Sequence, residues 1–181
     1  MNWVAPKAED LDPAFGYWFA GFSDGEGCFS IKPAARSFTT RFSIGLRIDD
    51  LLILEEIQTT LGLGDILLTG KRGGIQAQAK WSVCRKDEMT PLIDVFERFP
   101  LRAKKASDFE IWKEAVDFWL AIDGNQRHDW TAMGEIKKRL TANREFDPTE
   151  WVDRFNAGPV RSSRTSACPD RTKEEPGFSL T

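Results

Sequence analysis

The sequence is poor in the residues that many catalytic and metal centres use. It holds one histidine, His128, which excludes chemistry needing two imidazoles in one subunit: His-Asn-His nucleases, two-histidine zinc sites and two-histidine phosphodiesterases. Any bound metal must rest on carboxylates. Cysteine is nearly as scarce. Cys28, Cys84 and Cys168 are far apart, odd in number and without a CxxC pair, so neither a disulfide framework nor a zinc knuckle is indicated, and buried or incidental thiols are expected. No apolar run approaches the roughly 18 residues of a spanning helix. Near the N-terminus Lys7 is followed by Glu9, Asp10 and Asp12, the wrong order for a secretory signal. The expectation is a protein that is not secreted, makes no membrane contact and stays in the cytoplasm or wherever it is made. The 41% hydrophobic content is enough for a substantial core, which makes one folded domain the default over a disordered chain.

Acidic residues are missing from two long stretches, and there the charge pattern becomes informative. The net charge of −3 usually argues against a nucleic-acid binder. From Cys28 to Ile48, however, lie Lys32, Arg36, Arg41 and Arg47 with no acid, and from Ile66 to Lys86 lie Lys71, Arg72, Lys80, Arg85 and Lys86, again with none. The acids gather in Asp49, Asp50, Glu55 and Glu56 and in Asp108, Glu110, Glu114 and Asp117, on segments of helical periodicity.

Periodicity predicts the elements. Asp12-Pro13 opens a helix over about 14–24, closed by Gly25 and Gly27. Residues 28–35 and 39–48 alternate as strands, with Phe29, Ile31, Phe42, Ile44, Leu46 and Ile48 inward and Ser30, Lys32, Arg41, Ser43, Gly45 and Arg47 outward. Asp49-Asp50 caps a helix that ends at Gly62 and Gly64. A second hairpin follows over about 65–70 and 75–84, turning through Lys71-Arg72-Gly73-Gly74, with Ala77, Ala79, Trp81 and Val83 inward against Gln76, Gln78, Lys80 and Ser82. Helices are expected at about 87–98, 103–121 and 129–144, with a weaker pattern at 148–155. The domain division is an N-terminal extension over 1–13, one domain over 14–146, and a C-terminal extension over 147–181, expected to be largely disordered from 157. The class is α+β, with helices on one side of an antiparallel sheet. A merely solvated outer face would mix Glu and Asp with Lys. This one carries Lys, Arg, Gln and Ser, the types that contact phosphates and base edges.

The densest local signal runs from Tyr17 to Gly27. Gly16 and Ala20, and again Gly21 and Gly25, are four apart, so each pair shares a helical face and permits close approach of another backbone, in this chain or a second copy. Asp24 and Glu26 stand where that helix ends. Two carboxylates beside glycine carbonyls suit Mg²⁺, which takes oxygen ligands and keeps water. By itself an Asp-Gly-Glu-Gly tetrapeptide is equally a solvated turn, and an aromatic and glycine stripe is ordinarily core.

Taken as a unit, Phe19 to Gly27 resembles the signature of the LAGLIDADG homing endonucleases. Ala20, Gly21, Asp24 and Gly27 match its letters, Phe19 and Phe22 replace leucines, Gly25 replaces alanine, and Glu26 stands at the second acidic position. The order of elements agrees, and Pro100 to Lys105 looks like the family's late lysine-bearing turn, so that the resemblance spans about residues 14–122. It implies an αββαββα core with a four-stranded antiparallel, saddle-shaped sheet, and an endonuclease that hydrolyses both strands of a long, near-palindromic DNA target with Mg²⁺ or Mn²⁺. Carried over by position, Glu26 becomes the metal ligand with the Gly25 carbonyl as a second, while Asp24 supports the helix end. Lys104 becomes the active-site lysine with Lys105 in competition, and Arg47 falls where the family often has a glutamine. DNA contact is implied for Ser30, Lys32, Arg36, Arg41, Ser43, Arg47, Lys71, Arg72, Gln76, Gln78 and Lys80. One motif implies a homodimer through Gly16, Ala20, Gly21 and Gly25, and an organellar location if the gene lies in an organellar intron. The alternatives are a non-cleaving relative, such as an RNA-splicing maturase or a DNA regulator, with RNA then a partner, and a protein-interaction domain whose basic sheet binds an acidic protein.

Overall fold

Asp12 starts the first helix by accepting a hydrogen bond from the Ala14 amide at 2.8 Å, and Pro13 occupies the first turn, where no amide is needed. In the computed structural model, which describes residues 7–34, 37–70, 76–121 and 130–141, this helix, α1, spans Pro13–Glu26. It runs two residues past the expected end, enclosing Gly25 and Glu26. It stops at Gly27, which turns directly into strand β1 (Gly27–Ala34). A Cβ at Gly27 would lie 2.5 Å from the Ser23 carbonyl oxygen and 2.8 Å from the Phe42 ring, so this junction requires glycine.

Strand β2 (Ser37–Arg47) returns antiparallel, and a 3-10 turn over Ile48–Asp50 leads into α2 (Leu51–Leu61). The expected cap does not form. Asp50 makes no capping bond, and the Asp49 carboxylate instead accepts from Arg47 Nη2 at 2.6 Å. Gly62, with φ +59°, ends α2. Then follow β3 (Asp65–Thr69), β4 (Gln78–Val83, starting three residues later than expected), α3 (Lys86–Arg98), α4 (Lys104–Leu120) and α5 (Trp130–Leu140). The sheet is antiparallel throughout in the order β1-β2-β4-β3. The helical pattern at 148–155 and the C-terminal extension lie outside the described residues.

Alternation sends Phe29, Ile31, Phe42, Ile44, Ala79, Trp81 and Val83 to one face, where all are buried. The helices cover that face. Phe19 of α1 lies at its centre, stacked on Phe96 and edge-on to Phe42 and Trp81, and each such side chain contributes roughly 1.5–3 kcal/mol by burial. Leu11, within the expected N-terminal extension over 1–13, is buried in the core. Cys84 is buried at the end of β4, and Cys28 is free and exposed.

The connection between α2 and the sheet is held by a buried carboxylate. Glu88, fully buried on α3, accepts from the Gly64 amide at 3.0 Å and from Arg85 Nη2 at 2.5 Å. Gly64 itself has φ +74° and sits under the Trp81 indole, which donates to the Leu63 carbonyl at 2.8 Å. Arg85, part of the second acid-free stretch, is therefore occupied within the fold. Among the described residues no helix is long and apolar enough to cross a membrane.

Candidate functional site

The face of the sheet away from the helices is open, and the register arranges it in rows. One row runs Cys28, Ser43, Ser82, Asp65, a second Gly45, Lys80, Leu67, and a third Arg47, Gln78, Thr69. Ser30 pairs with Arg41 and Lys32 with Thr39. Lys32, Arg41 and Lys80 thus sit on three neighbouring strands and face the same way. Partial loss of hydration on the sheet, then repulsion by Arg41 and Lys80, lowers the Lys32 ammonium below the ordinary lysine value, and burial lowers the Arg41 guanidinium. An anion seated among the three would relieve the repulsion that Lys32 feels from Arg41 and Lys80.

The residues expected to meet DNA differ in how far they are exposed. Ser43 belongs to this face but is only 2% exposed, because its short side chain lies in a central strand between Cys28 and Ser82. It is not available to a ligand. Ser30 is half-buried, its hydroxyl donating to the Arg41 carbonyl at 3.4 Å. Arg47 and Gln78 are exposed in one row, with Arg47 paired to Asp49, and Gln76 is exposed just before β4. Arg36, Lys71 and Arg72 lie outside the described residues.

At the end of α1 the two motif acids divide their tasks. The Asp24 carboxylate accepts from the Arg102 amide at 2.8 Å and from the Ala103 amide at 3.2 Å on both oxygens. It serves as the cap of α4, whose own cap residue, Ala103, has no polar side chain. Asp24 therefore supports a helix end, but that of α4, 78 positions away, rather than its own. Glu26 remains exposed at the negative end of α1, where the helix itself leaves the last four carbonyls, including that of Gly25, without helical partners. The same clamp orders the lysines. Lys105 Nζ donates to the Asp24 carbonyl at 3.3 Å, while Lys104 is exposed at the first position of α4. Lys105, not Lys104, is thereby the lysine held at the end of the motif helix.

The small residues of α1 also divide. Gly16 is buried and would place a Cβ 2.4 Å from the Phe99 ring, and Ala20 is 3% exposed, so both serve packing inside the chain and not an external interface. Gly21 and Gly25 are exposed, with nothing within 4 Å of a Cβ. With Ala14 and Trp18 they form one stripe at helical spacing along the outside of α1, with Trp18 still 40% exposed and stacked on Phe22.

A model of the LAGLIDADG endonuclease family matches residues 19–116. Among curated proteins the chain is similar to the "Probable intron-encoded endonuclease Cox1-I1b" of Schizosaccharomyces pombe, 29% identical over 140 residues that make up 75% of this chain and 35% of that protein. The structure of the LAGLIDADG meganuclease I-AabMI bound to uncleaved DNA aligns at TM-score 0.65 and 25% identity, over 86% of this chain and 53% of that one. The archaeal intron-encoded homing endonuclease I-Vdi141I, complexed with DNA, shares the fold at TM-score 0.65 and 18% identity, over 81% of this chain and 100% of that one. The chain thus spans about a third of the curated relative and about half of I-AabMI.

Proposed function

The chain belongs to the LAGLIDADG endonuclease family, and on that premise we propose that it binds duplex DNA on the open face of its sheet and cuts both strands with a divalent cation held at the end of α1. The observation that carries this proposal is the placement of Lys32, Arg41 and Lys80 on one face of the sheet, with exposed Glu26 one residue before that sheet begins. An antiparallel ribbon of this kind enters the major groove, with its cations on phosphates and its polar side chains on base edges.

Among the described residues no three acidic, cysteine or histidine side chains converge, so one chain offers an incomplete set of oxygens: the Glu26 carboxylate and the Gly25 carbonyl. That set would suit a hard cation such as Mg²⁺ or Mn²⁺ if a second Glu26 completed it. A divalent cation held there would supply polarisation of the phosphodiester and an acidified water. The chain's own residues do the rest. Glu26 holds the cation, Lys105 places a positive charge beside the developing phosphorane, and the sheet keeps the duplex in line. Arg47, at the far end of β2 and tied to Asp49, binds a backbone phosphate.

The second Glu26 comes from a second copy, seated against the Ala14, Trp18, Gly21 and Gly25 stripe, and the two joined sheets fit a long, near-palindromic site. Gly21→Leu fills the stripe without touching the core, so sedimentation should show the dimer lost while the folded monomer persists. A wild-type monomer at micromolar concentration, with and without DNA, would contradict this assembly. Replacing Arg41 and Lys80 together by alanine should weaken duplex binding and flatten its salt dependence, by about 0.9 in slope for each phosphate no longer neutralised. An unchanged slope would place the interface elsewhere.

A further inference from the structure

Resting on the duplex-binding function just proposed, we infer that Leu67 is a specificity-determining residue that reads the 5-methyl group of a thymine in the major groove. β3 is an edge strand, and the register pairs Leu67 with Lys80 and Lys80 with Gly45, which places Leu67 on the open, cationic face. It is 63% exposed. Among the described residues the large apolar side chains left exposed are Tyr17, Trp18, Leu52, Leu67, Leu68 and Leu120. Four of these lie on helices, and Leu68 pairs with the inward-facing Ala79. Leu67 alone among them has a register position on the sheet face that meets the duplex.

A leucine offers no hydrogen bond to a face whose other reaching side chains are Lys, Arg, Ser, Thr and Gln, with Cys28 and Asp65 at the two ends of one row. The major groove presents one apolar group to such a side chain, the thymine methyl. The surroundings complete a thymine reader. Lys80 lies directly across from Leu67, Thr69 follows two residues along the same strand face, and Gln78 pairs with Thr69. Any of the three can donate to O4 of the same base. Gly45 adds no side chain on the far side of Lys80, and a Cβ there would meet nothing within 4 Å, so Lys80 and Leu67 are the reaching groups of their row.

The test uses the full chain with duplexes enriched by binding from a randomised library, with Ca²⁺ replacing Mg²⁺ to hold them uncut. In the tightest duplex each thymine is replaced singly by deoxyuridine, which differs only by the methyl group. One thymine in each half of the site should lose about fourfold in affinity, the worth of burying one methyl group. The Leu67→Ala chain should bind the thymine and deoxyuridine duplexes equally, and Leu67→Met, which stays apolar, should retain the difference. Enrichment of a duplex with no thymine sensitive to this replacement, or a sensitivity that Leu67→Ala leaves intact, overturns the inference while the DNA-binding function stands. Failure to enrich any duplex overturns both.

Discussion

Glu26→Gln should lower DNA cleavage on the order of a thousandfold while leaving duplex affinity within a few-fold of wild type. The substitution keeps the shape of the side chain and removes the charge that holds a cation at the end of α1. Glu26 is exposed and lies outside the hydrophobic core, so stability should not change. The lysines provide an internal control. Lys105→Met should slow cleavage substantially, because this ammonium is held against the Asp24 carbonyl at the motif end. Lys104→Met should act only as the loss of a surface charge. Single-turnover rates on a selected duplex, beside equilibrium binding, separate these outcomes. Full cutting by Glu26→Gln, or a larger loss at Lys104 than at Lys105, would contradict the assignment.

The second large effect concerns the fold. Glu88→Met should destabilise the chain by about 3 kcal/mol, because it leaves the Gly64 amide without its carboxylate partner and Arg85 with only the exposed Asp87, at 3.6 Å, as its ion-pair partner. For a domain of this size the melting temperature should fall by about 10 °C. Arg85→Met should be nearly as harmful, since it leaves the Glu88 charge buried. The double variant should recover part of the loss, because two apolar side chains replace a pair whose desolvation is costly. Denaturant titration of the three variants checks the pattern, and two neutral single variants would show that the pair does not hold the fold.

What is legible in the sequence, and what is not, divides by distance along the chain. Strict alternation over β1, β2 and β4 identifies the inward and outward residues, because a strand places successive side chains on opposite faces whatever its neighbours are. Asp12-Pro13 similarly marks the start of α1, since capping is a matter of adjacent residues. The division between Gly16 and Gly21 depends instead on Phe99, which is remote in sequence and fills one side of α1 only. The role of Asp24 as the cap of α4, and with it the choice of Lys105 over Lys104, arises from a hydrogen bond across 78 positions that no local pattern encodes. Ser43 shows the limit of alternation. It faces outward as expected, yet a short side chain in a central strand is covered by its neighbours. Leu67 and Trp18 are open to the same alternation and helical spacing, but exposed apolar residues are informative only once the surrounding surface is known.

Incubating the wild-type chain with a randomised duplex library and Mg²⁺, then sequencing the newly formed ends, tests the central claim most directly. Breaks are expected on both strands at a fixed offset within one near-palindromic sequence, abolished by EDTA and by Glu26→Gln. Enrichment of a sequence by binding, with no metal-dependent ends in Mg²⁺ or Mn²⁺, would contradict the claim and mark the chain as a member of the family that binds nucleic acid without cutting it.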